Sequence, residues 1–181
     1  MVAEVDATDT AALRALVRDI DDFPKPGVVF KDITPLLGDA TSFAAMVDAL
    51  AAPYAGRGIT KVLGIEARGF IAGAPVADRL GAGFVPVRKA GKLPWQVEKE
   101  EYVLEYGTDL LEVHRDAVVP GERTLIVDDV MATGGTAAAT VRLVEKLGAK
   151  VAGLAFIIEL GFLEGRSRLG EHMVHSLIAY E

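Results

Sequence analysis

Cysteine is absent from the 181 residues, which removes disulfides, thiolate nucleophiles and cysteine-ligated zinc together. Asparagine is absent too, so no N-glycosylation acceptor exists. Positive charge is in short supply: 19 Lys and Arg stand against 26 Asp and Glu, a formal charge of −7. Coating nucleic acid or lying on an anionic membrane needs a basic face, so neither partner is expected. The longest apolar run, residues 151–158, is far too short to span a bilayer. The opening MVAEVDATDT has no cationic segment followed by an apolar one, which predicts no export and a cytoplasmic protein. Glycine and proline, at 19 and 8 residues, fall below the level of low-complexity chains. What remains is a length suited to one domain, 51% hydrophobic residues and a mean hydropathy of +0.31.

Helical and strand periods alternate along the chain. Leu13, Leu16, Val17 and Ile20 predict a first helix, and Phe43, Met46, Val47 and Leu50 a second. A connector rich in proline, 23–27, separates them. Residues 61–65 read as a buried strand, 69–80 as a helix despite Pro75, and 84–87 as a strand whose Pro86 points to an edge. Residues 88–101 read as irregular, 102–114 as mixed strand and turn. A strand at 124–127, a helix at 135–147 and strands at 151–158 and 173–180 complete the pattern. Two strand–helix–strand units, 62–87 and 124–158, predict an α/β fold with a mainly parallel twisted sheet flanked by helices.

Ligands of such sheets bind beyond the carboxyl ends of the strands. Those ends carry Glu66-Ala67-Arg68-Gly69, then Arg88, Lys89 and Lys92, then the run 128–136, and finally Glu159-Leu160. The run Asp128-Asp129-Val130-Met131-Ala132-Thr133-Gly134-Gly135-Thr136 is the sharpest signal. Small residues leading into a helix offer free backbone N–H groups and a dipole end to a phosphate. The two acids in front would repel phosphate but suit sugar hydroxyls or a magnesium shell. Together they point to a phosphorylated sugar. Other phosphate motifs fail: Gly91-Lys92 runs into Leu93, and 81–86 lacks the dinucleotide fingerprint and precedes its strand. The run 165–169 lacks the last glycine of a nucleophile elbow, and His172 and His175 have no apparent third ligand.

Residues 125–136, LIVDDVMATGGT, resemble the phosphoribosyl-pyrophosphate (PRPP) motif of the type I phosphoribosyltransferases. FPKPGVVFKDITPLL at 23–37, EARGF at 66–70, VRKAGKLP at 87–94, LEYG at 104–107 and SLIAYE at 176–181 resemble the adenine-using members of that family, in order and spacing. The resemblance implies one phosphoribosyltransferase domain over 1–181, with a small N-terminal hood, its elements near 18–38 and 95–114. It implies transfer of phosphoribose from PRPP to adenine, giving AMP and pyrophosphate with Mg²⁺ held mainly by substrate, in a homodimer. Ala132, Thr133, Gly134, Gly135 and Thr136 would hold the 5′-phosphate, and Asp128 and Asp129 the ribose. Ala67, Arg68, Arg88, Lys89 and Lys92 would hold the diphosphate. Glu105 would handle the purine proton with Tyr106 beside it, and Phe23, Val29, Arg68 and Leu160 would bind adenine. It also implies a cis peptide at Glu66–Ala67. A hypoxanthine-type enzyme would carry a lysine near the last core strand, where Glu159-Leu160 stands instead; a PRPP-sensing regulator would bring a basic module that a charge of −7 does not supply.

Overall fold

The computed structural model describes residues 10–104 and 107–181. They fall into two compact units, one reaching Ala49 and the other running from Leu50 to Glu181.

Among the described residues of the N-terminal unit the first element is a short helix, α1 (Thr10–Ala15). The apolar period predicted a helix through Ile20, but Arg18–Ile20 is instead a strand, β1, antiparallel to β2 (Phe30–Asp32). Cross-strand charge decides this. Arg18 sits opposite Asp32 and Asp19 opposite Lys31, and both pairs close at 2.7 Å. The connector between them carries a cis Phe23–Pro24 bond and packs Phe23 edge-on to Phe30, ring centroids 5.2 Å apart. Asp32 accepts from the Thr34 N–H and hydroxyl, which with Arg18 lowers its pKa to about 2. Short α2 (Thr34–Gly38) follows. Asp39 then accepts the Ser42 N–H at 2.8 Å, opening α3 (Ala40–Ala51).

The larger unit is built on a seven-stranded sheet. Its strands are β3 (Lys61–Ile65), β4 (Gly83–Lys89), β5 (Val97–Leu104), β6 (Gly107–His114), β7 (Arg123–Met131), β8 (Lys150–Leu160) and β9 (Val174–Tyr180). The order is β5-β6-β4-β3-β7-β8-β9; β4, β3, β7, β8 and β9 run parallel, and the β5–β6 hairpin joins β4 antiparallel. Helices α4 (Gly69–Leu80) and α5 (Gly135–Lys146) make the crossovers. Fold class and both strand–helix–strand units follow the sequence reading.

Strand alternation assigns the two faces. Leu63 and Ile65 enter the main core with α5, whose Ala137, Ala138 and Ala139 allow a close approach to the sheet. Gly64, on the other face, meets Gly73 of α4 and the Phe84 ring. Pro86 lies where β4 has only β3 beside it, since β6 pairs solely with Arg88 and Lys89; the edge inferred from that proline is a partial one.

Two strand boundaries differ from expectation. The stretch 97–101 is not irregular but begins β5, because its charged side chains find partners: Glu98 with Arg115, Lys99 with Glu112, and Glu100 with Arg142 and Lys146. β7 does not stop at Val127 but continues through Met131, paired with β8.

Candidate active site

The ends of β3, β4 and β7 converge on one cleft of about 440 Å³. Beyond Ile65 the Glu66–Ala67 peptide is cis, as expected, and Arg68 leads into α4. Gly69 is forced by proximity. A Cβ there would stand 2.7 Å from Asp128 Oδ1 and 2.9 Å from the Val127 carbonyl oxygen. The start of α4 is thus pressed against the acids of β7.

Asp128 and Asp129 occupy consecutive strand positions, the Asp129 N–H donating to Asp128 Oδ1 at 2.9 Å. Asp129 is buried and ion-paired with the Arg68 guanidinium. Asp128 reaches the cleft but is densely surrounded by protein; burial, then the charge of Asp129, push its carboxyl well above the usual range. The pair presents carboxyl oxygens to the cleft, where a hydroxyl or a cation would find acceptors.

The chain then turns through Ala132, Thr133 and Gly134, which line an adjoining hollow of about 70 Å³ with Gly135 and Thr136. Gly134 has φ 76° and caps α5 with no side-chain hydrogen bond, leaving the first-turn amides to a ligand. The loop is braced from behind. Gly134 and Gly165 touch so closely that a Cβ on either would collide with the other's loop, at the Gly165 carbonyl or the Ala132 carbonyl. The run 165–169, which failed as a nucleophile elbow, supplies this brace.

Cations form the opposite wall. Glu66 accepts from Lys92 Nζ at 2.6 Å, from Arg88 Nε at 3.2 Å and from the Lys89 N–H at 3.1 Å. Burial alone would raise the Glu66 pKa; these three donors outweigh it and bring it to about 2. Lys89 Nζ lies 3.4 Å from Asp109. Tyr102 also lines the cleft and donates to Asp109 Oδ2 at 3.1 Å. Burial first, then the Asp109 charge, push its phenol up to about 12, so it remains a neutral donor.

The match of a phosphoribosyl transferase domain model to residues 36–175 covers most of this architecture. The chain is 55% identical to adenine phosphoribosyltransferase of Myxococcus xanthus, over 97% of the chain and 95% of that protein. It is 60% identical to adenine phosphoribosyltransferase of Acidothermus cellulolyticus, over 91% and 93%. The chain belongs to the adenine phosphoribosyltransferase family. Its fold superposes on the crystal structure of the Rhodothermus marinus member of that family with a TM-score of 0.92 and 53% identity, covering 97% of this chain and all of that one.

Of the family positions expected from sequence, Ala67, Arg68, Lys89, Lys92, Asp128, Asp129 and Thr136 line the cleft, and Ala132, Thr133, Gly134 and Gly135 the hollow beside it. Arg88 is turned toward Glu66 and is not among the lining residues. Leu160 ends β8, partly buried, and lines neither space. Phe23 and Val29 belong to the N-terminal unit, 51% and 47% exposed. Glu105 and Tyr106 lie outside the described residues. Tyr102, Leu111 and Asp109 were missed; the only sequence signal for them was the alternation that makes 97–114 a hairpin.

Proposed function

We propose that this chain transfers phosphoribose from PRPP to N9 of adenine, releasing AMP and pyrophosphate. The observation carrying the reading is the succession, across the adjoining hollow and cleft, of a bare helix start, an acid pair and a lysine wall in a chain of this family. A ribose 5-phosphate diphosphate has the complementary parts in that order. The amides of 132–136 take the 5′-phosphate, and Asp128 and Asp129 take the ribose hydroxyls. The 67–68 backbone with Lys89 and Lys92 takes the diphosphate, and Arg88 supports it through Glu66.

In the reaction the C1′–O bond to diphosphate breaks as the N9–C1′ bond forms. Positive charge develops on the ribose ring, and the fixed carboxylates of Asp128 and Asp129 face it. The electrons leave with the diphosphate, whose charge the lysines offset. The N9 proton goes to Glu105, with Tyr106 beside it. By the family resemblance Phe23, Val29, Arg68 and Leu160 are assigned to adenine binding.

Mg²⁺ is assigned as the cofactor. Among the described residues no cluster of three His, Asp or Glu side chains can cage a metal. The donor set instead fits an ion that keeps waters and substrate oxygens and takes at most one or two carboxylates, Asp128 and Asp129. Bound there, it would offset diphosphate charge. We also assign a homodimer in the cytoplasm; no helix among the described residues is long and apolar enough to cross a membrane.

Incubation with PRPP, Mg²⁺ and each nucleobase in turn tests the reading. AMP is expected, with adenine preferred by at least about a hundredfold in kcat/KM, since a site that hydrogen-bonds the purine edge rejects reversed polarity at the 6-position. Comparable turnover of hypoxanthine or guanine would overturn it. A fully active monomer in light scattering would remove the dimer.

A further inference from the structure

We propose that Glu112 is a positioning residue for the diphosphate, holding the 89–92 turn through a hydrogen bond to the Gly91 amide; this rests on reading that turn as the diphosphate wall. Glu112 sits in β6, opposite Arg88 on one side and Lys99 on the other. Its side chain is 2% exposed and lines no part of the cleft. One carboxylate oxygen, Oε1, is 2.7 Å from Lys99 Nζ, while Oε2 accepts the Gly91 N–H at 3.0 Å. A buried carboxylate costs free energy unless it is paired and hydrogen-bonded, and Lys99 reduces that cost. The free oxygen is spent on the turn.

Gly91 has φ 79° and lies between Lys89 and Lys92, so its amide is the pivot of the segment. Glu66 holds the same segment from the cleft side, by Lys92 Nζ and the Lys89 amide. Glu66 will meet the incoming phosphates, whereas Glu112 is hidden from them. Glu112 is therefore the anchor that persists when Lys92 exchanges Glu66 for diphosphate. What the role needs is an acceptor oxygen fixed opposite the Gly91 amide, and the buried Glu112 side chain supplies one at 3.0 Å.

The test is a set of variants of the full chain. Glu112→Met keeps volume without an acceptor; Glu112→Gln keeps the acceptor without the charge. For Glu112→Met the KM for PRPP should rise roughly tenfold, with the KM for adenine unchanged and Glu112→Gln near wild type. On a Lys92→Ala background Glu112→Met should add nothing, because its effect passes through that lysine. A lower Tm with unchanged KM for PRPP, or full additivity with Lys92→Ala, would overturn the proposal. If Glu112→Met does not fold, Glu112→Asp, too short to reach the amide, takes its place with the same expectation. Calorimetric binding of inorganic pyrophosphate with Mg²⁺ to the same proteins gives an independent readout. If the wild type fails to turn over adenine, the functional reading falls, and the pyrophosphate affinities still decide the role of Glu112.

Discussion

The loop 132–136 and the turn 88–92 stand at strand ends of one sheet and are made of opposite materials. The loop offers backbone: Gly134 caps α5 with a positive φ and no side chain intervenes. The turn offers long side chains, and each is already engaged by a carboxylate, Lys92 and Arg88 by Glu66 and Lys89 by Asp109. An amide cradle is rigid and asks little reorganisation of a phosphate. To bind a diphosphate as proposed, the lysines would have to trade a carboxylate for it, so their net contribution would be a difference between two ion pairs. On the proposed reading, placing the two kinds side by side would let one end of PRPP dock into a fixed seat while the other end exchanges partners.

Between the two regions stand the acids, and removing one should have the largest effect. Asp129→Ala should lower kcat/KM by about 10³, the scale of losing a fixed group that faces developing charge. The fold should survive, because the released Arg68 is half-exposed and water can take it. Steady-state kinetics beside far-UV circular dichroism checks both halves.

The backbone cradle is broken from behind. Gly165→Val would drive the Ala132 carbonyl out of place and cost about 10² in kcat/KM for PRPP, as expected of a misplaced binding group. A surface substitution at neighbouring Arg168 should leave the rate unchanged.

Salt separates the two materials directly. Lys92→Ala should raise the KM for PRPP about tenfold at low ionic strength, and the gap from wild type should narrow as salt screens the exposed lysine. Ribose 5-phosphate, which on the proposed reading meets the cradle and the acids but not the lysines, should respond to the same salt series less than pyrophosphate does. Calorimetry of the two ligands makes the comparison.

The smallest effect is on acid stability. The Glu66 carboxyl lies at about 2 in the fold against an ordinary 4.5. A lowered carboxylate pKa contributes stability that is complete above about 4.5 and lost as pH falls toward about 2. The Tm difference between wild type and Glu66→Gln should therefore be constant near neutrality and shrink across that window. A difference that persists at pH 2 would mean that the ion pairs are not its source.

The same contrast governs how much the sequence disclosed. The cradle is contiguous, so 128–136 could be read as a site from its letters alone, and the parallel sheet followed from apolar runs alternating with helical periods. The turn 88–92 was legible only as a cluster of cations; its holders Glu66, Asp109 and Glu112 come from other strands, and no local pattern joins them. Residues 97–101 read as irregular because charge masks strand alternation when the partners are 12 or more residues away. Residues 18–20 read as helix because their apolar spacing fits one, while the ion pairs to Lys31 and Asp32 that make them a strand are tertiary. Gly165 had no signal beyond being glycine.

Asp128 and Asp129 ride on β7, with Asp128 paired to Phe156 and Val130 to Ile158 of β8, rather than on a loop. Catalytic groups on loops often belong to the part of a protein that opens first. Here the acids assigned to the sugar are part of the central ladder, whose amides should exchange with solvent only through global opening. On heating, the reaction centre and the sheet should therefore melt as a unit, and activity should be lost with the fold rather than ahead of it.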